Sequence, residues 1–120
     1  ALCAPRPLKL ISVGGDWTKN TPEVEFPYIQ NIFNYYGKAG QVESSHFADE
    51  GHGYQLSKRQ AMYPFMVKHL KLDPKGVLDK KTGVFDETRN VIEKVEVQRT
   101  FDKSHPMPKN ALKPGSLVQF

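Results

Sequence analysis

The sequence predicts an α/β fold built on a parallel sheet, and two observations carry that prediction. Leu8 to Val13 is a short, mostly apolar run with Pro5 and Pro7 before it and Gly14-Gly15 after it, the pattern of a buried strand. The segments that follow read as loop, helix, strand, loop and helix, and two βα units in succession pair their strands in parallel. The composition agrees. Of 120 residues, 25% are charged and 38% hydrophobic, with nine glycines and nine prolines. That is globular composition, and it excludes a coiled coil, a collagen-like repeat and a wholly disordered chain. No run reaches the roughly 18 apolar residues of a membrane span, so no membrane partner is expected. The apolar start, Ala1 to Ala4, is far too short for a signal peptide.

After the first strand, Asp16 to Pro22 reads as a polar loop. A helix is expected from about Glu25 to Pro27, since proline suits a first helical turn. Tyr28, Ile29, Ile32, Phe33 and Tyr36 fall on one face of a 3.6-residue period, and Gly37 is placed to stop the helix. Gln41 to Phe47 reads as the second strand and Ala48 to Gln55 as a loop. Ser57-Lys58-Arg59-Gln60 has the form of a capping box, which would open a second helix with Met62, Phe65, Met66 and Leu70 on its apolar face. Pro64 inside it is expected to kink or shorten it. Asp73 to Gly76 and Asp79 to Gly83 read as turns. Val91 to Phe101 alternates like an exposed strand. His105 to Pro108 and Lys113-Pro114-Gly115 are unsuited to helix interior. The expected division is a domain over residues 1–72 and an extended tail over 73–120 that packs on it.

Net charge is +4 and unevenly spread. Residues 1–55 hold 4 basic and 6 acidic residues, whereas 56–120 hold 13 and 7. The basic half lacks interleaved aromatics and mixes its lysines with acids, so a solvated face is expected rather than a nucleic-acid surface. The single cysteine, Cys3, excludes an internal disulfide framework. Asp73, Asp79, Asp86 and Glu87 lack calcium-loop spacing.

Asp16 follows the first strand and His52 the second, 36 residues later, and ligand chemistry in parallel sheets sits past the carboxyl ends of the strands. An acid and a histidine so placed match the second half of a nucleophile–acid–histidine triad. Other readings stand beside this one. Asp16 can serve as a turn acid, His52 as a surface residue between Gly51 and Gly53, and Trp17 as a pocket wall or as a cover for the sheet. His46, Asp49 and His52 form a possible zinc set. His46 is otherwise a strand residue, His69 a cation at a helix end and His105 a solvent-facing tail residue.

Several segments carry a resemblance to a known family. These are Ala4-Pro5-Arg6-Pro7 with its strand, Gly15-Asp16-Trp17-Thr18, Glu50-Gly51-His52-Gly53-Tyr54, Lys58 to Tyr63, Lys68-His69-Leu70, and the tail around Phe101 and Pro106 to Asn110. Over roughly residues 1–110 the chain resembles acetyl-xylan-esterase-like α/β-hydrolases. The resemblance implies the C-terminal βα-βα portion of such a sheet, with Asp16 as triad acid and His52 as triad base. Trp17, beside the acid, is the candidate substrate contact, and chemistry of this kind needs no cofactor. The resemblance also implies an ester substrate, such as an acylated carbohydrate. The chain departs from the family at the nucleophile. None of Ser12, Ser44, Ser45, Ser57, Ser104 and Ser116 sits in a Gly-x-Ser-x-Gly elbow. The expectation is therefore a C-terminal piece of a serine-type hydrolase that is inactive alone and associates with itself. The alternatives are a non-catalytic βα association module or degenerate hydrolase and a small metal-dependent hydrolase.

Overall fold

The structure, a computed structural model, describes residues 2–112. Lys113-Pro114-Gly115 and Ser116 lie outside the described residues. Residues 2–87 form one compact unit and the described remainder, 88–112, forms another.

Strands β1 (Leu8–Gly15) and β2 (Val42–Gly51) make a two-stranded parallel sheet, with Leu8 opposite Val42 and Val13 opposite Phe47. Helix α1 (Glu25–Tyr35) and a short 3-10 helix (Ala39–Gln41) connect them, and α2 (Leu56–Leu70) follows β2. The fold is α/β, as expected. Ser12 and Val13 are adjacent in β1, so their side chains point to opposite faces, and both are buried. Both faces of the sheet are therefore covered at this point. Helix α1 packs on β2, and α2 lies against both strands.

Glu25 stands in the first turn of α1, where its charge complements the helix dipole, and Pro27 falls among amides that lack helical partners anyway. The helix ends at Gly37 (φ 64), where the Gly37 amide donates to the Asn34 carbonyl and the Lys38 amide to that of Phe33. Phe33 is fully buried, which contributes roughly 1.5–3 kcal/mol, and Ile29 and Ile32 flank it half-buried. Tyr28 and Tyr36, expected on the same face, are exposed. The apolar stripe is as narrow as the single strand, β2, on which the helix rests.

The expected capping box does not form. The N-cap falls two residues earlier, at Gln55, whose side chain makes no capping bond, and helix α2 begins at Leu56. Ser57 donates instead to the Glu50 carboxylate, 2.8 Å away. The Gln60 amide bonds both backbone groups of Phe85, each at 2.8 Å. Tertiary partners thus outcompete the local cap. Pro64 does not end the helix, which is packed on two sides and runs on to Leu70. Its inward stripe is Lys58, Met62, Phe65 and His69, whereas the expected Met66 and Leu70 are exposed. The residue that shifts the stripe is Lys58, a buried charge that apolar periodicity does not count.

Residues 73–87 belong to the first unit. The turn from Asp79 to Gly83 closes an antiparallel bridge between Leu78 and Phe85. Phe85 is buried against the Tyr63 ring, 5.1 Å between centroids. Glu87 takes Arg59 through both carboxylate oxygens and accepts the Tyr63 hydroxyl at 2.8 Å. In the second unit, Val91 to Phe101 is not a strand. The unit holds the four-residue helix α3 (Val95–Gln98), and Val91, Ile92, Val95 and Val97 are exposed. Alternation without a partner strand leaves backbone groups that a helical turn satisfies locally.

Candidate active site

The site lies where the two strands end. After Val13 and Phe47 the register breaks, and Gly15 pairs with Gly51 rather than with residue 49. Two extra residues in β2 make a bulge, a feature common at the rims of active sites. Strand β2 therefore continues to Gly51 instead of ending at Phe47. Composition alone reads Ala48 to Gly51 as loop, and only the pairing with Gly14-Gly15 makes it strand. Gly14 permits the close approach, because a β-carbon there would sit 1.9 Å from the Ala48 carbonyl oxygen. The bulge carries His52 across to the end of β1, where Asp16 waits.

His52 Nδ1 and Asp16 Oδ2 are 2.9 Å apart. The other carboxylate oxygen of Asp16 accepts the Thr18 hydroxyl at 2.6 Å and the Thr18 amide at 2.7 Å. The Thr18 hydroxyl oxygen also accepts the Val13 amide at 3.0 Å, which ties the loop to the strand end. One oxygen closes its own turn and the other meets the histidine. The Thr18 hydroxyl bond, then the Thr18 amide, then His52 draw the Asp16 carboxyl down to about 2. An ionised carboxylate accepts only, so Nδ1 of His52 is the donor and Nε2 of the neutral ring keeps its lone pair. The Asp16 side chain is 10% exposed and that of His52 is 67% exposed. In that tautomer Nε2 is the ring nitrogen able to accept a proton.

Trp17 stands beside the pair, its ring centroid 4.8 Å from that of His52 and tilted 37°. It is exposed, so it does not cover the sheet. Trp17, Tyr54, Asp16, Thr18 and His52 line a cavity of about 290 Å³ that continues along Ile11 to Val13. Gly53, at φ 131, turns the histidine loop through a conformation that side-chain-bearing residues resist. Lys58, buried in the same wall, holds this loop by its ammonium.

Superposition relates the chain as a whole to an esterase. The chain aligns with methylesterase BT1017 at a TM-score of 0.69 and 36% identity, over 90% of this chain and 23% of that one. It thus spans about a quarter of that protein's length. The fold is esterase-like, and the chain is related to a hydrolase. No family model and no curated protein matches the chain.

The remaining candidates fall elsewhere. His46 faces Ser12 across the strands, Nδ1 to Oγ 2.8 Å, within the sheet rather than at its end. Among the described residues no three His, Cys, Asp or Glu side chains gather into a metal site, so His46, Asp49 and His52 do not converge. His69 packs on Phe65 at 4.4 Å and lies 3.9 Å from Glu43. In the second unit Asp102 accepts the Ser104 hydroxyl and the Ser104 and His105 amides, a local turn that resembles a triad only in residue types. Cys3 is free and exposed. No helix among the described residues is long and apolar enough to cross a membrane.

Sequence reasoning missed Thr18 and Lys58. An Asp-x-Thr turn was legible as a signal for Thr18, because the residue two on from an aspartate commonly donates to it. For Lys58 the signal was a basic residue in a first helical turn, against the dipole.

Proposed function

We propose that this chain carries the acid and base of a serine-type ester hydrolase, of the acetyl-xylan-esterase-like kind, whose nucleophile lies outside these residues. The observation that carries the reading is the 2.9 Å bond between His52 Nδ1 and Asp16, at the wall of a cavity that His52 itself lines. In this reading Nε2 removes the proton of a serine hydroxyl as its oxygen attacks the ester carbonyl. The same proton then passes to the alcohol as the carbon–oxygen bond breaks. Water releases the acyl group by the reverse path, with His52 again the base. Asp16 holds the imidazole in the tautomer that makes this possible and stabilises the imidazolium that forms. Trp17 offers an exposed aromatic wall beside the reacting centre, suited to the apolar face of a sugar ring. The substrate is then an ester on a carbohydrate, either an acylated sugar or, as the relative's name suggests, a methyl ester. The chemistry requires no cofactor.

Alone, the chain should not turn over p-nitrophenyl acetate faster than free imidazole at equal concentration. The decisive experiment extends the chain with the sequence encoded upstream of Ala1. A strand, Gly-x-Ser-x-Gly elbow and helix are expected there. The extended protein should hydrolyse esters, and Asp16→Asn should lower kcat by roughly 10⁴-fold, as in the serine-protease triad. Ester hydrolysis that survives His52→Ala unchanged would overturn the reading.

A further inference from the structure

Lys58 is 2% exposed, and burial of an ammonium is costly unless its protons are all engaged. Here they are. Its Nζ donates to Glu50 Oε2 at 2.9 Å, to the Gly51 carbonyl at 3.1 Å and to the Gln55 side-chain oxygen. These acceptors lie on both sides of His52 in the chain. Gln55 in turn reaches back to the His52 carbonyl at 3.4 Å, and its side chain packs against Gly53. The neighbours of Lys58 extend the grip. Ser57 also donates to Glu50, and Arg59 donates to the Tyr54 carbonyl at 2.7 Å. The first turn of α2 thus holds the histidine loop at residues 50, 51, 54 and 55.

This arrangement breaks a local rule. Cations in a first helical turn oppose the dipole, and α2 has no acid there to offset them. A helix that only needed to pack would place an apolar residue at position 58, in line with Met62 and Phe65. Departures of this kind concentrate where function sets the residue.

We propose that Lys58 is a positioning residue, which fixes the Glu50–Gln55 loop so that His52 presents Nδ1 to Asp16 at the wall of the cavity. Its role is to hold the loop on both sides of a ring that is itself two-thirds exposed and has Trp17 as its aromatic neighbour. The inference rests on the acid–base reading of Asp16 and His52.

The test is nitrogen NMR of the His52 ring in the 120-residue chain, compared among wild type, Lys58→Met, Gln55→Ala and Asp16→Asn. Wild type should show the Nδ1–H tautomer. Lys58→Met should lose that signature. Gln55→Ala, at an exposed position, should lose part of it, and this variant carries the test if Lys58→Met does not fold. If Asp16→Asn abolishes the signature while Lys58→Met (or, failing that, Gln55→Ala) leaves it intact, Lys58 is purely structural and the inference falls. If Asp16→Asn leaves the ring unchanged, the acid–base reading itself falls.

Discussion

At the residue scale, Asp16 is the most informative group, because its two oxygens have separate tasks. The Thr18 bonds that close its turn also lower its proton affinity, so the carboxylate facing His52 is ionised at any working pH. Thr18→Val keeps the amide donor and the shape but removes the hydroxyl. The Asp16 midpoint, read by carbon NMR of the carboxyl, should then rise above about 2 and stay below the ordinary 3.8. The sign for stability follows from linkage. A carboxyl depressed in the folded state stabilises the fold fully above its unfolded value of 3.8, and that stabilisation is lost as pH falls through about 2. The stability gap between wild type and Thr18→Val should therefore be present at neutral pH and close over that acid window. An Asp16 midpoint unmoved by Thr18→Val would show that the Thr18 amide and His52 set it without the hydroxyl. Asp16 and His52 were legible in the sequence because parallel strands deliver their following loops to one end. Lys58 left only the trace of a cation set against a helix dipole, since its partners come from a loop whose path depends on a bulge.

At the element scale, the meeting of the two loops depends on how β1 and β2 end. Gly14 lies against the Ala48 carbonyl with no room for a β-carbon, whereas Gly40 has open space around it. Gly14→Ala must push the strand ends apart, at a cost of about 1–3 kcal/mol by analogy with overpacked cores. Gly40→Ala should change stability by less than half a kcal/mol or so, as unremarkable surface substitutions do. Urea denaturation of the two variants compares them directly, and equal midpoints would mean that the strand ends yield freely. Gly14→Ala should also separate Asp16 from His52, which the His52 ring nitrogens would report. Elements whose signal is local were readable in advance: β1 from its apolar run, although it continues through Gly14-Gly15, α1 from its period and Gly37, and the turns at Asp73 and Asp79 from their aspartates. Those set by distant partners were not. The start of α2 is decided by Glu50 and Phe85, the end of β2 by Gly14 and Gly15, and the alternation of Val91 to Phe101 meets no partner strand among the described residues.

At the scale of the whole molecule, the sheet is too small for its sequence. Among the described residues β1 pairs only with β2, so each strand leaves one edge of parallel backbone without a strand partner. Two strands make a marginal sheet, and an open apolar edge is a template for another chain. Leu8 to Val13 is such an edge, with two charges at most near its start, Arg6 and Lys9. Tyr28 on α1, Tyr36 at its C-cap, and Met66 and Leu70 on α2 add exposed apolar surface. In a longer hydrolase these groups would lie beneath further strands and helices, and the related esterase is about four times as long as the aligned segment. The isolated 120-residue chain is therefore predicted to self-associate through backbone bonds and apolar contact. Light scattering over a dilution series should give masses above 13.6 kDa that fall on dilution. Because exposed charge pairs play little part, raising the salt concentration should not dissolve the assemblies. A stable 13.6 kDa monomer with cooperative unfolding at micromolar concentration would instead mean that the two-stranded sheet is sufficient as it stands. The site at its end would then be carried by an independent domain rather than by a sheet awaiting more strands.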